Sequence, residues 1–296
     1  MAGPGTSEPV PVRAEVSFLV RVLSDAREQI LGPGEFDPLD DQDKFARAEP
    51  EFREIVLKNA ACIHIGDKVV VDKLQMRLTP VAVRLMMVSQ EDRENTHKIV
   101  YSKWLDLDQV KAKYYRSIEF QRKYMPEFEA LAERYATSKV CECLYFIMLC
   151  EYVMFSPFFL VINYTATRGY APRIGEANVM AMKDEHDHYV HCRGLLATSR
   201  RRVGKEWANR ALDEMCEATL QVARRIIGNY DNGTFNFEHV RAHVLHIVHT
   251  FRYDNQDEAE FERFNEAYGT TPAESYLTMN QNETKINLME SSSTSY

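Results

Sequence analysis

Apolar residues recur at spacings of three and four along most of the chain, in long runs that contain few proline or glycine residues. This period places side chains on one face of a helix, and the strict alternation of a half-buried strand is nearly absent. The pattern predicts helices over residues 13–31, 49–74, 80–104, 106–135, 138–167, 175–198, 205–228 and 237–251, with a weaker helix over 256–268. We therefore expect an all-α fold.

The segment 144–162 is apolar on every side except for Glu151, Ser156 and a few tyrosine and cysteine side chains. A helix that is apolar all round is either a membrane span or the centre of a bundle. A carboxylate near the middle of a span costs about 2.5–3.5 kcal/mol on insertion scales, and Pro157 weakens the span further. We expect a bundle core and no stable membrane span, so the charge of Glu151 needs a partner.

Two predicted helices each carry a glutamate followed three residues later by a histidine: Glu94 with His97, and Glu185 with His188. Residues three apart lie on one helix face, so each pair can present an oxygen and a nitrogen to the same point. One such pair would ordinarily be a surface pair. Two of them, with a glutamate inside an apolar helix and Tyr101 one turn beyond the first histidine, favour a metal centre.

Two further carboxylates on two further helices would complete a site that resembles the ferritin-like dimetal proteins. Glu151 is one candidate, because a bound cation would compensate its buried charge. The helix over 49–74 offers Asp67 and Asp72 for the other, and spacing does not choose between them. The sequence thus predicts a four-helix core that holds two metal ions.

In their order along the chain these residues resemble the small subunit of class I ribonucleotide reductase, from about residue 30 to the C-terminus. The similarity lies in Asp67 and the segments ENTHKIVY (94–101), EYVMFSPFF (151–159) and KDEHDH (183–188). It implies a site for two iron ions, with manganese as an alternative. The family's ligands fall on Asp67, Glu94, His97, Glu151, Glu185 and His188.

The same resemblance implies that Tyr101 is oxidised to a stable radical in a pocket lined by Phe155, Phe159 and Ala181. In the family, the radical passes to a large subunit that reduces ribonucleotides for DNA synthesis, and the small subunit forms a homodimer. The segments YGTTP (268–272), SYLTM (275–279) and KINLME (285–290) resemble herpesvirus-type small subunits. They imply a viral source and the host-cell cytoplasm.

The chain departs from the family at two places. The position of a relay tryptophan falls on Leu31, which cannot be reversibly oxidised, although the relay aspartate is present as Asp184. Tyr296 falls on the tail tyrosine that passes the radical onward, and we expect no docking peptide after it. These departures favour two alternatives: a diverged dimetal oxidase, and a non-catalytic interaction protein that keeps the fold.

Composition fits this class. The chain has 296 residues, of which 45% are apolar and 27% charged, and a net charge of −8. These values suit one large soluble domain and argue against nucleic acid as a partner. We expect a disordered N-terminus over 1–12, a ferritin-like domain over 13–270 and a flexible tail over 271–296.

The remaining metal-binding residue types have simpler interpretations. Six cysteines without a signal peptide indicate free thiols in a reducing compartment, here the cytoplasm. Cys141 and Cys143 would point about 200° apart on a helix, so we place them in the core. Four histidines form a stripe on one predicted helix: His239, His243, His246 and His249. No carboxylate or thiol cluster accompanies them, so a second metal site is not predicted.

Overall fold

The computed structural model describes residues 36–74, 81–198 and 203–256. These residues form eight helices of ten or more residues, which confirms the all-α prediction. They are α1 (Pro50–Val69), α2 (Val81–Leu105), α3 (Pro126–Ala136), α4 (Val140–Leu149), α5 (Ser156–Thr167), α6 (Pro172–Thr198), α7 (Lys205–Ile227) and α8 (Phe237–Gln256). Shorter helical turns are Pro38–Asp41, Gln42–Phe45, Ala112–Tyr115 and Ile118–Tyr124.

Five of these helices pack around the centre of the bundle. Helix α1 packs against α2 and α5, and α6 packs against α2, α4 and α5. Helix α8 lies across α5 and α7 on the other side. Two π-helical turns interrupt the regular helices: Val70–Leu74 extends α1, and Cys150–Met154 joins α4 to α5.

The stretch Val140–Thr167, from α4 to the end of α5, contains the apolar segment noted in the sequence. Among the described residues it is the one helix whose length and composition would allow it to cross a membrane, and 94% of its most apolar window is buried inside the fold. It is therefore the core helix of the bundle.

The predicted helix over 106–135 is wrong, because three shorter helices occupy this stretch. Ser117 begins the second of them, where its hydroxyl accepts a hydrogen bond of 3.1 Å from the Phe120 N–H. Pro126 lies in the first turn of α3, where its missing N–H is not needed. The Ser117 cap and Pro126 therefore begin new helices, although the spacing of apolar residues favours one continuous helix.

Several sequence predictions fall outside the described residues. They include the helix over 13–31, most of that over 256–268, and both terminal segments. Leu31 and Tyr296 also lie there, so the relay position and the tail tyrosine stay predictions.

Candidate metal centre

Four helical elements bring the six predicted ligands into one buried cluster. Asp67 comes from α1, two ligands each come from α2 and α6, and Glu151 comes from the π-helical turn between α4 and α5. The ligand atoms of Glu94, Glu151, Glu185 and His188 all lie within 4.8 Å of one another, as do those of Asp67, Glu94 and His97. Glu94 belongs to both groups. The cluster therefore has room for two adjacent cations that share this carboxylate.

The two π-helical turns lie next to the cluster. Glu151 is the second residue of one, and the other begins three residues after Asp67. Such turns insert one extra residue into a helix and occur frequently at functional sites. Asp67 is fully buried, whereas Asp72, the competing aspartate, is exposed. The geometry thus favours Asp67.

Close contacts join the histidines to the carboxylates. The Nδ1 atom of His97 lies 3.1 Å from Glu185 Oε1 and 3.4 Å from Glu94 Oε2. The Nδ1 atom of His188 lies 2.9 Å from Glu185 Oε2 and 3.1 Å from Glu94 Oε1. One nitrogen of each ring therefore faces the centre of the cluster.

Burial and mutual repulsion perturb the acidities of these groups. Burial, together with the charges of Glu94 and Glu185, raises the pKa of Asp67 and the pKa of Glu151 well above their ordinary values. For His188, burial lowers the pKa but the neighbouring carboxylates outweigh it and raise the pKa to about 9. In the metal-free chain the cluster thus holds protons that a cation would displace.

Many polar atoms of the cluster have no hydrogen-bond partner. They are both oxygens of Asp67, Glu151 Oε2 and His188 Nε2, while both oxygens of Glu94, Glu185 Oε1 and His97 Nδ1 have only the histidine–carboxylate contacts given above. Each buried unpaired polar atom costs about 1–3 kcal/mol, so the folded chain alone leaves this region unsatisfied. A donor set rich in carboxylate oxygen with two imidazoles suits iron or manganese. The residues therefore fit a pair of such ions.

Asp184 supports His97 from the side away from the cluster. Its Oδ2 atom lies 3.0 Å from His97 Nε2, which fixes the ring so that Nδ1 faces the other carboxylates. Its Oδ1 atom accepts a hydrogen bond from the Arg93 guanidinium, which also lies 3.7 Å from Asp187. Arg93 was not predicted as a site residue.

Gln90 is a second residue that the sequence did not single out. It is buried one turn before Glu94 on α2, and its Nε2 atom donates a 2.6 Å hydrogen bond to Glu151 Oε1. This contact orients the glutamate so that its other oxygen remains available. Glutamine at an inward helix position carries no distinctive sequence signal.

Tyr101 is buried on α2, and its hydroxyl donates a 2.9 Å hydrogen bond to Asn178 Oδ1. The Asn178 amide nitrogen donates to the Phe159 carbonyl at 3.2 Å and to Asn163 Oδ1 at 2.7 Å. Asn163 in turn donates to the sulfur of Met182 at 3.1 Å. Since the carbonyl and the sulfur can only accept, the orientation of both amides is fixed, and Tyr101 must be the donor.

The predicted pocket residues Phe155, Phe159 and Ala181 are all buried, and the two phenylalanine rings lie 5.9 Å apart. Phe155 also packs against the backbone of Gly66, the residue before Asp67. A Cβ atom at Gly66 would lie 2.5 Å from Phe155 Cε1. Glycine at this position therefore permits the close approach of Phe155 to α1.

The other histidines and cysteines lie outside this cluster. The four histidines of α8 belong to neither group of converging ligand atoms, and burial lowers the pKa of His243 to about 3. No disulfide joins any of the six cysteines, all of which lie in the described part of the chain, and Cys141 and Cys143 are buried as expected.

No protein-family model matches the chain, and no curated protein matches it. Solved structures do share its fold. A Bacillus halodurans protein assigned to the class I ribonucleotide reductases has a TM-score of 0.68 and 16% identity, over 85% of this chain and 99% of its own. The Streptococcus sanguinis dimanganese(II)-NrdF has a TM-score of 0.66 and 13% identity, over 87% and 93%.

An R2-like ligand-binding oxidase mutant with an aerobically reconstituted Mn/Fe cofactor has a TM-score of 0.62 and 15% identity, over 81% of this chain and 92% of its own. At these identities the similarities establish the fold. The predicted ferritin-like helical bundle is confirmed, and so, at the level of fold, is the resemblance seen in the sequence motifs.

Proposed function

We propose that the chain binds two iron or manganese ions at the carboxylate and histidine cluster and serves as the small subunit of a ribonucleotide reductase. The observation that carries this proposal is the convergence of six buried ligand residues whose inward atoms have no other partner. The Mn/Fe and dimanganese sites named for two solved structures of this fold support the choice of metals. Bound ions would supply the activation of dioxygen.

The two groups of converging atoms divide the ligands between two ions. Asp67 and His97 would hold one ion, a second set of three residues would hold the other, and Glu94 would be shared. The second set is Glu151, Glu185 and His188. Asp184 and Gln90 would keep His97 and Glu151 oriented as they are in the metal-free chain.

Tyr101 would be the residue that is oxidised by one electron and stores the radical. Burial of its ring keeps water and reductants away from the phenol oxygen, and the bond to Asn178 fixes the direction of the hydroxyl. Under this proposal the oxidising equivalent stored on Tyr101 is passed to a large subunit, which uses it to reduce ribonucleotides. The chain forms a homodimer in the cytoplasm.

A second candidate is a dimetal oxidase that exports no radical, and the surroundings of Asp184 favour it. Both oxygens of this carboxylate are occupied, one by His97 and the other by Arg93. A guanidinium cannot be reversibly oxidised, and the relay position itself carries Leu31 in the sequence. Under this candidate the chain consumes dioxygen but does not activate a large subunit.

Electron paramagnetic resonance tests both candidates. The full chain is loaded with ferrous iron without oxygen and then exposed to air. We expect bound iron and a tyrosyl signal that Tyr101→Phe removes and the control Tyr230→Phe retains. Iron binding and dioxygen consumption without a tyrosyl signal would favour the oxidase, and failure to bind iron would overturn both candidates.

A further inference from the structure

A row of aromatic side chains begins at the sequence neighbours of two predicted ligands. Tyr152 and Tyr189 directly follow the predicted ligands Glu151 and His188 in the sequence, and their rings lie 4.8 Å apart. Both rings contact Phe251 of α8, at centroid distances of 5.9 and 5.8 Å. Two ligand-bearing elements thus meet at one phenylalanine.

The row continues from Phe251 toward the surface. Tyr145 of α4 lies 5.7 Å from Phe251 and 5.9 Å from Trp207 of α7. Trp207 in turn lies 5.3 Å from Tyr135 at the end of α3, and Trp207 is only partly buried. We call these six residues the aromatic row: Tyr152, Tyr189, Phe251, Tyr145, Trp207 and Tyr135. All except Phe251 are tyrosine or tryptophan, the side chains that can lose and regain one electron.

The outer end of the row has a proton acceptor. The Tyr135 hydroxyl donates a 2.6 Å hydrogen bond to Glu214 Oε2, which also lies 2.7 Å from the Arg134 guanidinium. The Glu214 side chain is 30% exposed. A phenol that loses an electron becomes strongly acidic, so a carboxylate at this distance makes oxidation of Tyr135 easier. Tyr135 is therefore a member of the row at which an oxidising equivalent can come to rest.

We propose that the aromatic row carries single electrons between the metal centre and Tyr135, a buried residue whose hydroxyl contacts the part-exposed Glu214. This inference rests on the proposed function, because the dioxygen-oxidised metal pair is the oxidant. Tyr135 loses one electron, its phenol proton moves to Glu214, and the electron passes inward along the row and reduces the metal pair by one. An external one-electron donor of the thiol or ascorbate class, together with the proton from Glu214, restores Tyr135.

This route is separate from Tyr101 and from the relay position. Beyond Tyr152 and Tyr189 it uses α3, α4, α7 and α8, whereas Tyr101 lies on α2 and is bonded to Asn178, eleven residues before Tyr189 on α6. Aromatic rings in a core can also serve packing alone. Phenylalanine in place of tyrosine or tryptophan keeps a ring but cannot be oxidised, so such variants separate the two roles.

A second aromatic cluster provides the matched control. Phe52 lies 5.7 Å from both Tyr164 and Tyr230, and Tyr164 lies 4.9 Å from Phe235. It has the same kinds of ring and similar distances, but its rings make none of the contacts that define the aromatic row. Tyr230→Phe should therefore not affect electron transfer along the row.

The experiment injects the oxidising equivalent at the inner end. His186 is exposed, and its ring lies 6.1 Å from Tyr189. The full chain with His186→Cys and Cys216→Ser, free of metal, would carry a thiol-linked ruthenium polypyridyl photo-oxidant. After a laser flash we expect a tyrosyl radical at Tyr135, identified by paramagnetic resonance and by mass mapping of oxidised peptides.

Tyr145→Phe and Trp207→Phe should each abolish the Tyr135 radical, Tyr135→Phe should leave the oxidation at Trp207, and Tyr230→Phe should change nothing. A Tyr135 radical of unchanged yield in the first two variants would overturn the proposal and leave the row as packing. Phe251→Tyr adds an oxidisable step, so it should raise the yield in chains that remain folded.

A second arm separates this inference from the proposed function. The unlabelled chain is loaded with ferrous iron and exposed to air, and oxidation at Tyr135 is mapped with and without Trp207→Phe. Iron binding with no dependence on Trp207 would overturn the route alone. A chain that transfers the flash-generated equivalent but binds no iron would overturn the dimetal function and the inner end of the proposed route.

Discussion

Two polar regions share the core of the bundle, and they differ in whether the chain satisfies them. Around Tyr101, the hydroxyl and the amides of Asn178 and Asn163 all have partners within the fold. In the metal cluster, both oxygens of Asp67 and the Oε2 atom of Glu151 have no hydrogen-bond partner. Because unpaired buried polar atoms are costly, the first region is complete when the chain folds, whereas the second is left with a cost that a bound cation would relieve. Burial alone therefore does not mark a ligand site, whereas several buried ligand atoms that converge without hydrogen-bond partners favour one.

Of the variants that test this comparison, Glu151→Ala should have the largest effect, and that effect is on metal affinity. It removes a carboxylate with an unpaired oxygen and leaves Gln90 without its acceptor. We expect metal affinity to fall by at least about 10–100-fold, since even supporting groups contribute that much to metal sites. Metal content after desalting measures the loss, and Glu119→Ala, at an exposed glutamate, is the control. Equal metal content in both variants would contradict the assignment.

Metal affinity should also depend on pH, and the protons held by the ligand residues determine whether it rises or falls. The pKa of His188 is raised to about 9, and the pKa values of Asp67 and Glu151 are raised by burial, so the metal-free cluster retains protons at neutral pH. Ligands must lose protons to bind, so affinity should rise as the pH is raised through the neutral range toward the pKa of His188. The slope is about tenfold per pH unit for each proton released.

Calorimetry in buffers of different ionisation enthalpy measures those protons directly. Proton release at neutral pH is the expected result. Proton uptake, or an affinity that falls as the pH is raised, would show that the carboxylate and imidazole atoms are not the ligands.

Gly66→Ala tests the contact between the backbone next to Asp67 and the predicted radical pocket. Its Cβ would lie 2.5 Å from Phe155 Cε1 and 3.1 Å from Met154 Cε. Such overpacking typically costs about 1–3 kcal/mol, and denaturation of the metal-free chain measures it. Gly204→Ala has no atom within 4 Å of its Cβ, so it reports the change without a clash. Equal effects of the two variants would show that Phe155 moves away freely.

Tyr101→Phe should have the smallest effect on metal binding. It leaves the buried Asn178 Oδ1 without its donor, which costs about 1–3 kcal/mol, and keeps every predicted ligand in place. Metal content should not change, and the free energy of unfolding should fall by that amount. A loss of bound metal in this variant would mean that the two polar regions are not independent.

The sequence predicted the parts of the site that depend on local spacing. Glu94 with His97 and Glu185 with His188 each need only a regular helix, and both pairs converge as expected. The choice between Asp67 and Asp72 needed the packing of α1 against its neighbours, which places one aspartate inside and the other in solvent.

The supporting residues could not be predicted in this way. Gln90, Arg93 and Asn178 acquire their roles from contacts between helices, and single polar residues on long helices have no characteristic spacing. The helix over 106–135 was wrong for the opposite reason. Its apolar period was clear, but the serine cap at Ser117 and Pro126 divide it.

The π-helical turn at Cys150–Met154 has a consequence for how this chain tolerates change. Each residue of a helix advances the chain by about 100°, so the extra residue sets the rotational phase of everything that follows. Deleting one residue there would allow a more regular helix, yet it would rotate either Glu151 or the phenylalanines of α5 away from their present neighbours. The number of residues in this segment is therefore more constrained than their types. Single-residue deletions should be tolerated less well than conservative substitutions at the same positions.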